Sequence, residues 1–202
     1  MTQTRKILDY ALEKEIWNEG KIPVGVDEAG RGPLAGPVIA AAVILPRGCK
    51  IEGLKDSKQL SPKRRENLFR HIQNTAIAIS TGIVEAEEID ELNILKATIL
   101  AMERAIKSLE VQPLFVLIDG NIKTSIEIPQ KAVIKGDSIY PSIAAASIVA
   151  KVTRDSLMNY YHSVYPQYNF IKNKGYPTKE HIDALRRFGP CPIHRKTFKW
   201  VL

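Results

Sequence analysis

Four acidic residues stand at or shortly after the ends of predicted strands. Asp27 and Glu28 close the first apolar run, Asp119 follows the run LFVLI, and Asp137 comes soon after the last short apolar run. Strand ends can meet at one edge of a sheet, and carboxylates that are brought together repel one another unless cations neutralise them. Hard oxygen ligands suit Mg²⁺ or Mn²⁺ better than softer metals. The pattern therefore predicts a site for divalent metal ions.

Each acid also has an ordinary structural explanation. Asp27 and Glu28 could form a solvated strand end, and Asp119 precedes a glycine in a common turn pair. Asp137 could cap the helix that follows it. Neighbours in a regular strand point to opposite faces, so Asp27 and Glu28 share a site only where a bulge or the strand end intervenes, a distortion that Gly30 allows. Taken singly, the acids leave both interpretations open.

A glycine loop, Gly30-Arg31-Gly32, connects the first two apolar runs. It could be a hairpin turn with an exposed arginine. It could also bring backbone groups close to a sugar or phosphate, while the guanidinium group of Arg31 supplies positive charge and several N–H donors. Neither GxGxxG after a strand nor GxxxxGK[ST] occurs, so the common nucleotide-loop motifs do not match.

Two further segments combine cations with polar or aromatic residues. Asp56-Ser57-Lys58 precedes a predicted helix that carries the basic residues 63–65, which form a local positive patch or only a solvated helix face. The segment Lys172-Asn173-Lys174-Gly175-Tyr176 could hold a phosphate backbone while the ring packs on a sugar or base. An ordinary surface tyrosine in a loop is the alternative.

Other catalytic chemistries find no support in the spacing. The four histidines and two cysteines show no metal-ligand pattern and no disulfide framework. Ser57 and Ser147 lack the GxSxG elbow of an acyl-transfer hydrolase. The two serines are predicted to pack or to contact phosphate, and the cysteines to be ordinary reduced thiols.

Strands are predicted from apolar and β-branched runs. IPVGVDEAG and PVIAAAVIL flank the glycine loop, which predicts an antiparallel pair. AIAISTGIVEA predicts another strand, and LFVLIDG is apolar at successive positions, as in a strand buried on both faces. A last short strand is predicted at Ala132–Ile134.

Helices are predicted from apolar spacings of three and four and from N-cap and proline signals. The first ends near Gly20, the second opens at Ser61-Pro62, a long third runs from Glu87 to about Leu109, a fourth starts at Pro141, and the last spans Thr178 to Gly189. Strands interleaved with helices after an initial hairpin predict an α/β fold, a mixed sheet with helices on its faces.

Composition sets the outer limits. The 202 residues, 45% hydrophobic, suffice for one domain with a sizeable core. A net charge of +7, from 29 basic and 22 acidic residues, favours a polyanionic partner without establishing one. The longest apolar run, Val38–Leu45, is far shorter than the ~20 residues of a membrane span, and the first twenty residues mix charges throughout. We expect a cytoplasmic protein without a membrane anchor.

Six ordered blocks strongly resemble ribonuclease HII of the bacterial type: VGVDEAGRGPLAGPV, DSKQLSPKRRE, VLIDG, KGDSIYPSIAAASIVAKVTRD, KGYPTKEH and PIHRKTF. They extend from Ile22 to Phe198. The resemblance implies a ribonuclease H-like fold, with a mixed β-sheet flanked by α-helices, in a single catalytic domain over residues 1–202. Residues 1–20 would supply an N-terminal helix, and residues 161–202 a C-terminal helical part that contacts substrate.

The resemblance also implies which residues form the site. The catalytic residues and metal ligands would be Asp27, Glu28, Asp119 and Asp137. The glycine loop, Gly30, Arg31 and Gly32, would read the ribose hydroxyl at an RNA-to-DNA junction, Tyr176 would pack on the sugar beyond it, and Ser57 and Lys58 would hold phosphates. The 2′-hydroxyl is the group that distinguishes RNA from DNA.

The activity implied is that of an endonuclease with two divalent ions, Mn²⁺ or Mg²⁺, about 4 Å apart. It would hydrolyse the RNA strand of RNA/DNA hybrids and cut 5′ of ribonucleotides embedded in duplex DNA, leaving 3′-hydroxyl and 5′-phosphate ends. Nucleic acid is the expected partner of a monomer with no obligate protein partner and no membrane contact. Because the chain ends soon after PIHRKTF, no clamp-binding extension is expected.

Two other classes of function remain open from the residues alone. One is a different two-metal nuclease or phosphatase that uses the same acids. The other is a basic duplex-binding protein in which the acids are structural. An enzyme that recognises the RNA-to-DNA junction should require the 2′-hydroxyl of its substrate, whereas a general two-metal nuclease or phosphatase should not. A duplex-binding protein should need no metal ion, since phosphate binding alone requires none.

Overall fold

The structure, a computed structural model, describes residues 8–54, 57 and 60–201. Its centre is a five-stranded mixed sheet with the strand order β3-β2-β1-β4-β5. The strands are β1 (Pro23–Ala29), β2 (Val38–Ile44), β3 (Ala78–Val84), β4 (Phe115–Asp119) and β5 (Gln130–Val133). β1 pairs antiparallel with β2, and β2 with β3, whereas β1, β4 and β5 run parallel. The predicted initial hairpin and mixed sheet are confirmed.

Seven α-helices surround this sheet in the described part of the chain. They are α1 (Ala11–Asn18), α2 (Pro62–Thr75), α3 (Ala86–Leu92), α4 (Ile94–Lys107), α5 (Pro141–Val164), α6 (Phe170–Asn173) and α7 (Lys179–Phe188). Within the predicted N-terminal segment 1–20, the helix covers 11–18, and residues 1–7 lie outside the described residues. The C-terminal part predicted to begin at residue 161 is continuous with α5.

The two faces of the sheet bury different sets of side chains. Val24, Val26 and Ile118 face α4 and pack with Met102 and Ile106. The opposite face packs against α5 and α2. α5 contributes mainly small residues there, and their size allows a close approach: a Cβ added at Gly25 would lie 2.1 Å from the carbonyl carbon of Ser142. Close packing on this face explains the apolar, small-residue composition of α5.

Helix-capping predictions are confirmed at two positions. The Ser61 hydroxyl accepts a hydrogen bond from the Arg64 N–H at the start of α2, where Pro62 occupies the first turn. The Thr178 hydroxyl accepts from the His181 N–H at the start of α7, which ends at Gly189 with φ of 72°. Both caps supply partners for N–H groups that a helix leaves unbonded at its first turn.

The predicted long helix from Glu87 to about Leu109 is wrong in one respect. α3 and α4 are separate, because Asn93 adopts a left-handed φ of 69° between them. Its side chain then accepts from the N–H groups of Leu95 and Lys96 and starts a new helix. Apolar periodicity does not reveal the break, since Ile89 and Met102 enter the same core on either side of it.

The last predicted strand is displaced. β5 covers Gln130–Val133 rather than Ala132–Ile134, and Ile134 is 71% exposed. Parallel pairing of β5 with β4 sets this register, which joins Val133 to Asp119.

The chain after α5 packs beneath the glycine loop. Leu34 and Met158 share a buried cluster with Tyr168 and Phe170. Backbone hydrogen bonds attach the C-terminal segment to the segment after β1, since Gly36 N–H donates to the Ile193 carbonyl at 2.8 Å and Arg195 N–H donates to the Leu34 carbonyl at 2.8 Å. Among the described helices, none is long and apolar enough to cross a membrane.

Candidate active site

Three aspartates meet at one edge of the sheet. Parallel pairing aligns Gly25 with Leu117, and both residues face α5. Asp27 and Asp119 lie two residues further along their strands, so the period of two places both side chains on this same face. Asp137 reaches them from a 3₁₀ turn at Gly136–Ser138. One carboxylate oxygen from each of the three lies within 4.8 Å of the others. We call these residues the carboxylate cluster.

A tight turn after β5 positions Asp137. Lys135 adopts a left-handed φ of 58° and redirects the chain. A Cβ at Gly136 would lie 2.6 Å from the terminal methyl group of Ile143 in α5, so the turn packs closely against this helix. The Asp137 N–H then donates to Asp119 Oδ1 at 3.3 Å. The turn thus holds the third carboxylate against the other two.

Asp27 is the most buried acid of the cluster, at 2% exposure. Its Oδ1 accepts from the Glu28 N–H at 2.7 Å, whereas its Oδ2 is buried without a hydrogen-bond partner among the described residues. Burial, with the negative charges of Glu28 and Asp119, raises the pKa of Asp27 well above its ordinary value. An ionised carboxylate in this position is costly unless a cation compensates it. The donor set, three carboxylates with an unused buried oxygen, fits a hard divalent metal ion.

Glu28 lies beside the carboxylate cluster rather than inside it. The antiparallel ladder continues through Glu28 and Ala29 without a bulge, so Glu28 and Asp27 point to opposite faces. The Glu28 carboxylate lies 3.5 Å from the guanidinium of Arg31. Its predicted role as a metal ligand stays a prediction.

The glycine loop and Tyr176 lie together at the surface. Gly30 has a φ of 101°, and a Cβ there would lie 2.2 Å from Arg154 Nε, so this position requires glycine. The Cβ position of Gly32 is 3.5 Å from the ring of Tyr176, which is 44% exposed. Arg31 projects outward, its side chain 45% exposed. The glycine loop and Tyr176, far apart in sequence, thus form one surface. This surface adjoins the carboxylate cluster, because the glycine loop directly follows β1, the strand that carries Asp27.

Two buried arginines hold this loop from below, and sequence reasoning did not single them out. Arg154 donates to the carbonyls of Ala35, Pro37 and Lys174. Arg195 donates to those of Gly30, Arg31 and Gly36 at 2.6 to 3.1 Å. Burial lowers the pKa of Arg154 to about 10 and that of Arg195 to about 9, values at which both stay charged near neutral pH. We call these two arginines the loop support.

The loop support determines which backbone groups face outward. It draws carbonyl oxygens of the loop inward, toward the guanidinium groups. No hydrogen bond between described residues has the N–H of Arg31 or Gly32 as its donor. These N–H groups can therefore donate to a ligand that approaches the glycine loop.

Ser57, predicted to hold a phosphate, lies in the interior rather than at the surface. It is 2% exposed, and its hydroxyl lies 2.8 Å from that of Ser147 in α5. Ser147 in turn acts on Asp27, since it lowers the pKa of that carboxyl, although burial outweighs this effect. Ser57 thus connects to the carboxylate cluster through α5. Its predicted neighbour in function, Lys58, lies outside the described residues, as does Asp56.

Of the other basic side chains predicted to contact phosphate, some are exposed and others bond to neighbouring residues of the fold. Lys172 is exposed and lies 3.7 Å from Glu180. Lys174 bonds to the Asn159 side chain, and burial lowers its pKa. Within the basic patch of α2, Arg65 pairs with Asp155 at 3.2 Å. Lys174 and Arg65 therefore support the fold as well as the local charge.

The chain is similar over most of its length to known proteins of one family. The family model "Ribonuclease HII" matches residues 24–201. A ribonuclease HII of Syntrophus aciditrophicus is 52% identical over 189 residues, 93% of this chain and 89% of the relative. The crystal structure of ribonuclease H2 from Pyrococcus horikoshii superimposes with a TM-score of 0.76 at 29% identity, over 89% of this chain and 94% of that one.

A more distant solved structure bears on the fold alone. It is a Bst-RNase HIII in complex with Mn²⁺, 19% identical, with a TM-score of 0.68, covering 83% of this chain and 61% of that one. Together with the strand order and the flanking helices, these likenesses confirm the predicted ribonuclease H-like architecture.

Proposed function

Because the chain belongs to the ribonuclease HII family, endonucleases that act on the RNA of RNA/DNA hybrids, we propose that it also cuts duplex DNA immediately 5′ of an embedded ribonucleotide. The products would carry 3′-hydroxyl and 5′-phosphate ends. The single observation that carries this proposal is the carboxylate cluster, three converging aspartates with one buried oxygen left unbonded, directly beside the glycine loop.

Asp27, Asp119 and Asp137 are proposed to hold the metal ions. Glu28, whose charge already acts on Asp27 from the next position on β1, is proposed as a fourth ligand whose side chain turns toward the cluster around the end of the strand. Two ions, Mg²⁺ or Mn²⁺, would activate a water molecule and neutralise charge on the leaving oxygen. Asp27, the most buried of the acids, is the proposed shared ligand. Because burial raises its pKa, a proton competes with the metal ions for this carboxylate, so binding weakens in acid.

The glycine loop and Tyr176 are proposed to select the ribonucleotide. The N–H groups of Arg31 and Gly32, which donate to no described residue, can donate to a 2′-hydroxyl, which DNA lacks. The Tyr176 ring, next to Gly32, offers a flat surface for the adjoining sugar. Lys58 is proposed as the cation for a backbone phosphate, next in sequence to Ser57, whose hydroxyl is bonded to that of Ser147. Substrate choice and hydrolysis thus belong to adjacent parts of one surface.

The proposed partner is nucleic acid, either an RNA/DNA hybrid or a DNA duplex that contains ribonucleotides. The net charge of +7 supports attraction to such a polyanion. We propose that the protein acts as a monomer in the cytoplasm.

A cleavage assay tests the proposal. A DNA duplex with one ribonucleotide, labelled at its 5′ end, is incubated with the protein and either Mg²⁺ or Mn²⁺, beside an all-DNA duplex and an Asp27→Asn variant. We expect a single cut just 5′ of the ribonucleotide, absent from both controls. Cutting of the all-DNA duplex would instead favour a general two-metal nuclease, and binding without any cut would favour a non-catalytic duplex-binding protein.

A further inference from the structure

Two histidines lie buried directly behind the surface formed by the glycine loop and Tyr176. His181 belongs to α7 and His194 to the segment after it, and they are 0% and 1% exposed. Their rings pack against those of Tyr168 and Phe170. Neither histidine has a part in the proposed hydrolysis, yet His181 bonds to Tyr176, and Arg195, which follows His194, bonds to the glycine loop.

Hydrogen bonds define the proton positions on this histidine pair. His181 Nδ1 lies 2.9 Å from the Tyr176 carbonyl oxygen, which can only accept, so Nδ1 carries the proton. Neutral His181 then has a bare Nε2, 3.0 Å from His194 Nε2, which has to donate. The bare Nδ1 of His194 accepts from the Cys191 N–H at 2.9 Å. One chain of donors thus runs from Cys191 to Tyr176.

This chain exists only while both rings are neutral. A second proton on His181, at Nε2, would bring two N–H groups face to face across 3.0 Å. A second proton on His194, at Nδ1, would do the same with the Cys191 N–H across 2.9 Å. Burial is the main cause that lowers the pKa of both histidines, and proximity to His181 adds to it for His194. Other ionisable groups surround the pair: Cys191, Tyr168 and Arg195 beside it, and Glu87, Asp90, Glu91 and Lys196 around the cavity that His194 lines.

The two ends of the histidine pair hold the two halves of the substrate surface. At one end, His181 bonds the Tyr176 carbonyl. At the other, His194 forms a β-bridge with Ala35, and the next residue, Arg195, bonds the carbonyls of Gly30 and Gly36. The Leu34 N–H also donates to the Gly175 carbonyl at 2.7 Å, which closes the connection.

We propose that His181 and His194 are positioning residues that fix the Tyr176 ring relative to the glycine loop, and so set the gap into which the ribose at the junction fits. The proposal rests on the proposed function of that surface. Loosening the pair lowers the fraction of molecules with a competent surface, which raises the apparent dissociation constant by the same factor. The chemistry at the carboxylate cluster is left in place.

Two substitutions of His181 separate hydrogen bonding from packing. His181→Asn keeps an N–H near the Nδ1 position and can still donate to Tyr176, although it leaves a space in the aromatic cluster. His181→Phe fills that space and cannot donate. We expect KM for the single-ribonucleotide duplex to rise about tenfold in His181→Phe and about threefold or less in His181→Asn, with kcat changed less than about threefold in both. A packing role predicts the reverse order and overturns the proposal.

A double-mutant cycle tests whether the effect passes through Tyr176. In a Tyr176→Ala background, His181→Phe should raise KM no further, because the ring that it positions is gone. An undiminished tenfold effect in that background would contradict the proposal. All variants are compared by thermal unfolding, so that loss of the fold is seen separately.

Nitrogen-15 NMR of the wild-type protein gives a measurement that needs neither a variant nor activity. We expect His181 to be protonated at Nδ1 alone and His194 at Nε2 alone near neutral pH. Any other pair of tautomers, or a doubly protonated ring, overturns the proposal. If the wild-type protein cuts no duplex while these tautomers are found, the proposed function fails and the assigned hydrogen-bond chain stands.

Discussion

Asp27 places a carboxylate oxygen in the interior with no donor among the described residues, beside the acids of the carboxylate cluster. Arg154 and Arg195, the loop support, are equally buried, yet each donates to three backbone carbonyls. A buried polar group without a partner costs free energy, whereas a satisfied one fixes its surroundings. The carboxylate cluster is therefore suited to binding a cation, whereas the loop support fixes the conformation of the glycine loop. Substitutions in the two regions should have opposite consequences for stability and activity.

The largest effect is expected at the carboxylate cluster. Asp119→Asn removes a proposed metal ligand and should reduce kcat by about a thousandfold or more, while the dissociation constant for the duplex changes by less than about tenfold. Asp183→Asn, an exposed acid on α7, is the matched control and should leave both unchanged. Equal losses of turnover and binding in Asp119→Asn would contradict a catalytic role.

The loop support should respond in the opposite way. Arg195→Met leaves several buried carbonyls without a donor, so the free energy of unfolding should fall by about 3–5 kcal/mol in urea denaturation. Arg186→Met, an exposed arginine that pairs with Asp183 on α7, should change it by less than about 0.5 kcal/mol. If the two variants are equally stable, the buried arginine does not hold the loop.

The pH dependence of stability sharpens the contrast. Since burial lowers the pKa of His194 from 6.5 to about 4, the unfolded chain binds a proton in this range that the folded chain excludes. The free energy of unfolding is therefore unaffected by His194 above pH 6.5 and falls as the pH drops from 6.5 toward 4. The slope is about 1.4 kcal/mol per pH unit, which gives a total loss of about 3 kcal/mol. The raised pKa of Asp27 contributes with the opposite sign.

An Asp27→Asn background removes that opposing contribution. Urea denaturation of Asp27→Asn at several pH values should show the acid-side loss, and the loss should shrink in Asp27→Asn/His194→Phe. A profile that is the same in the two proteins would show that His194 is not buried in its neutral form.

The smallest effect concerns the ring of Tyr176. Tyr176→Ala should raise KM for a single-ribonucleotide duplex about tenfold, in line with about 1–3 kcal/mol for an aromatic contact to a nucleotide. Tyr176→Phe keeps the ring and should stay within about twofold of the wild type. Steady-state kinetics of both variants decide the matter, and a large defect in Tyr176→Phe would move the role from the ring to the hydroxyl.

The sequence predicts the sheet and the acids well, because local patterns report them. Successive apolar residues in LFVLI mark β4 as buried on both faces, and Asp119 at its end follows from strand length. The convergence of Asp137 on Asp119 depends on a left-handed turn at Lys135 and on the register of β5. Such tertiary features leave no periodic signal in the chain.

The loop support and the histidine pair could not be predicted for a related reason. Arginine and histidine are ordinarily exposed, and no spacing distinguishes Arg154 or His181 from the surface residues around them. Their burial results from contacts between α5, α7 and the C-terminal segment, which meet only in the folded chain. The break at Asn93 has no signal in the apolar pattern, because α3 and α4 both pack their apolar residues into the same core.

The central claim, that the carboxylate cluster is a metal site held at a cost in the free protein, is tested most directly by thermal unfolding of the wild type and Asp27→Asn, each with and without Mn²⁺. Without metal, Asp27→Asn should unfold at a higher temperature, since a buried unbonded carboxylate is gone. With Mn²⁺ at about a hundred times its dissociation constant, the wild type should gain about 2.7 kcal/mol and the variant much less. A wild type that neither Mn²⁺ nor Mg²⁺ stabilises, or a variant stabilised equally, would contradict the claim.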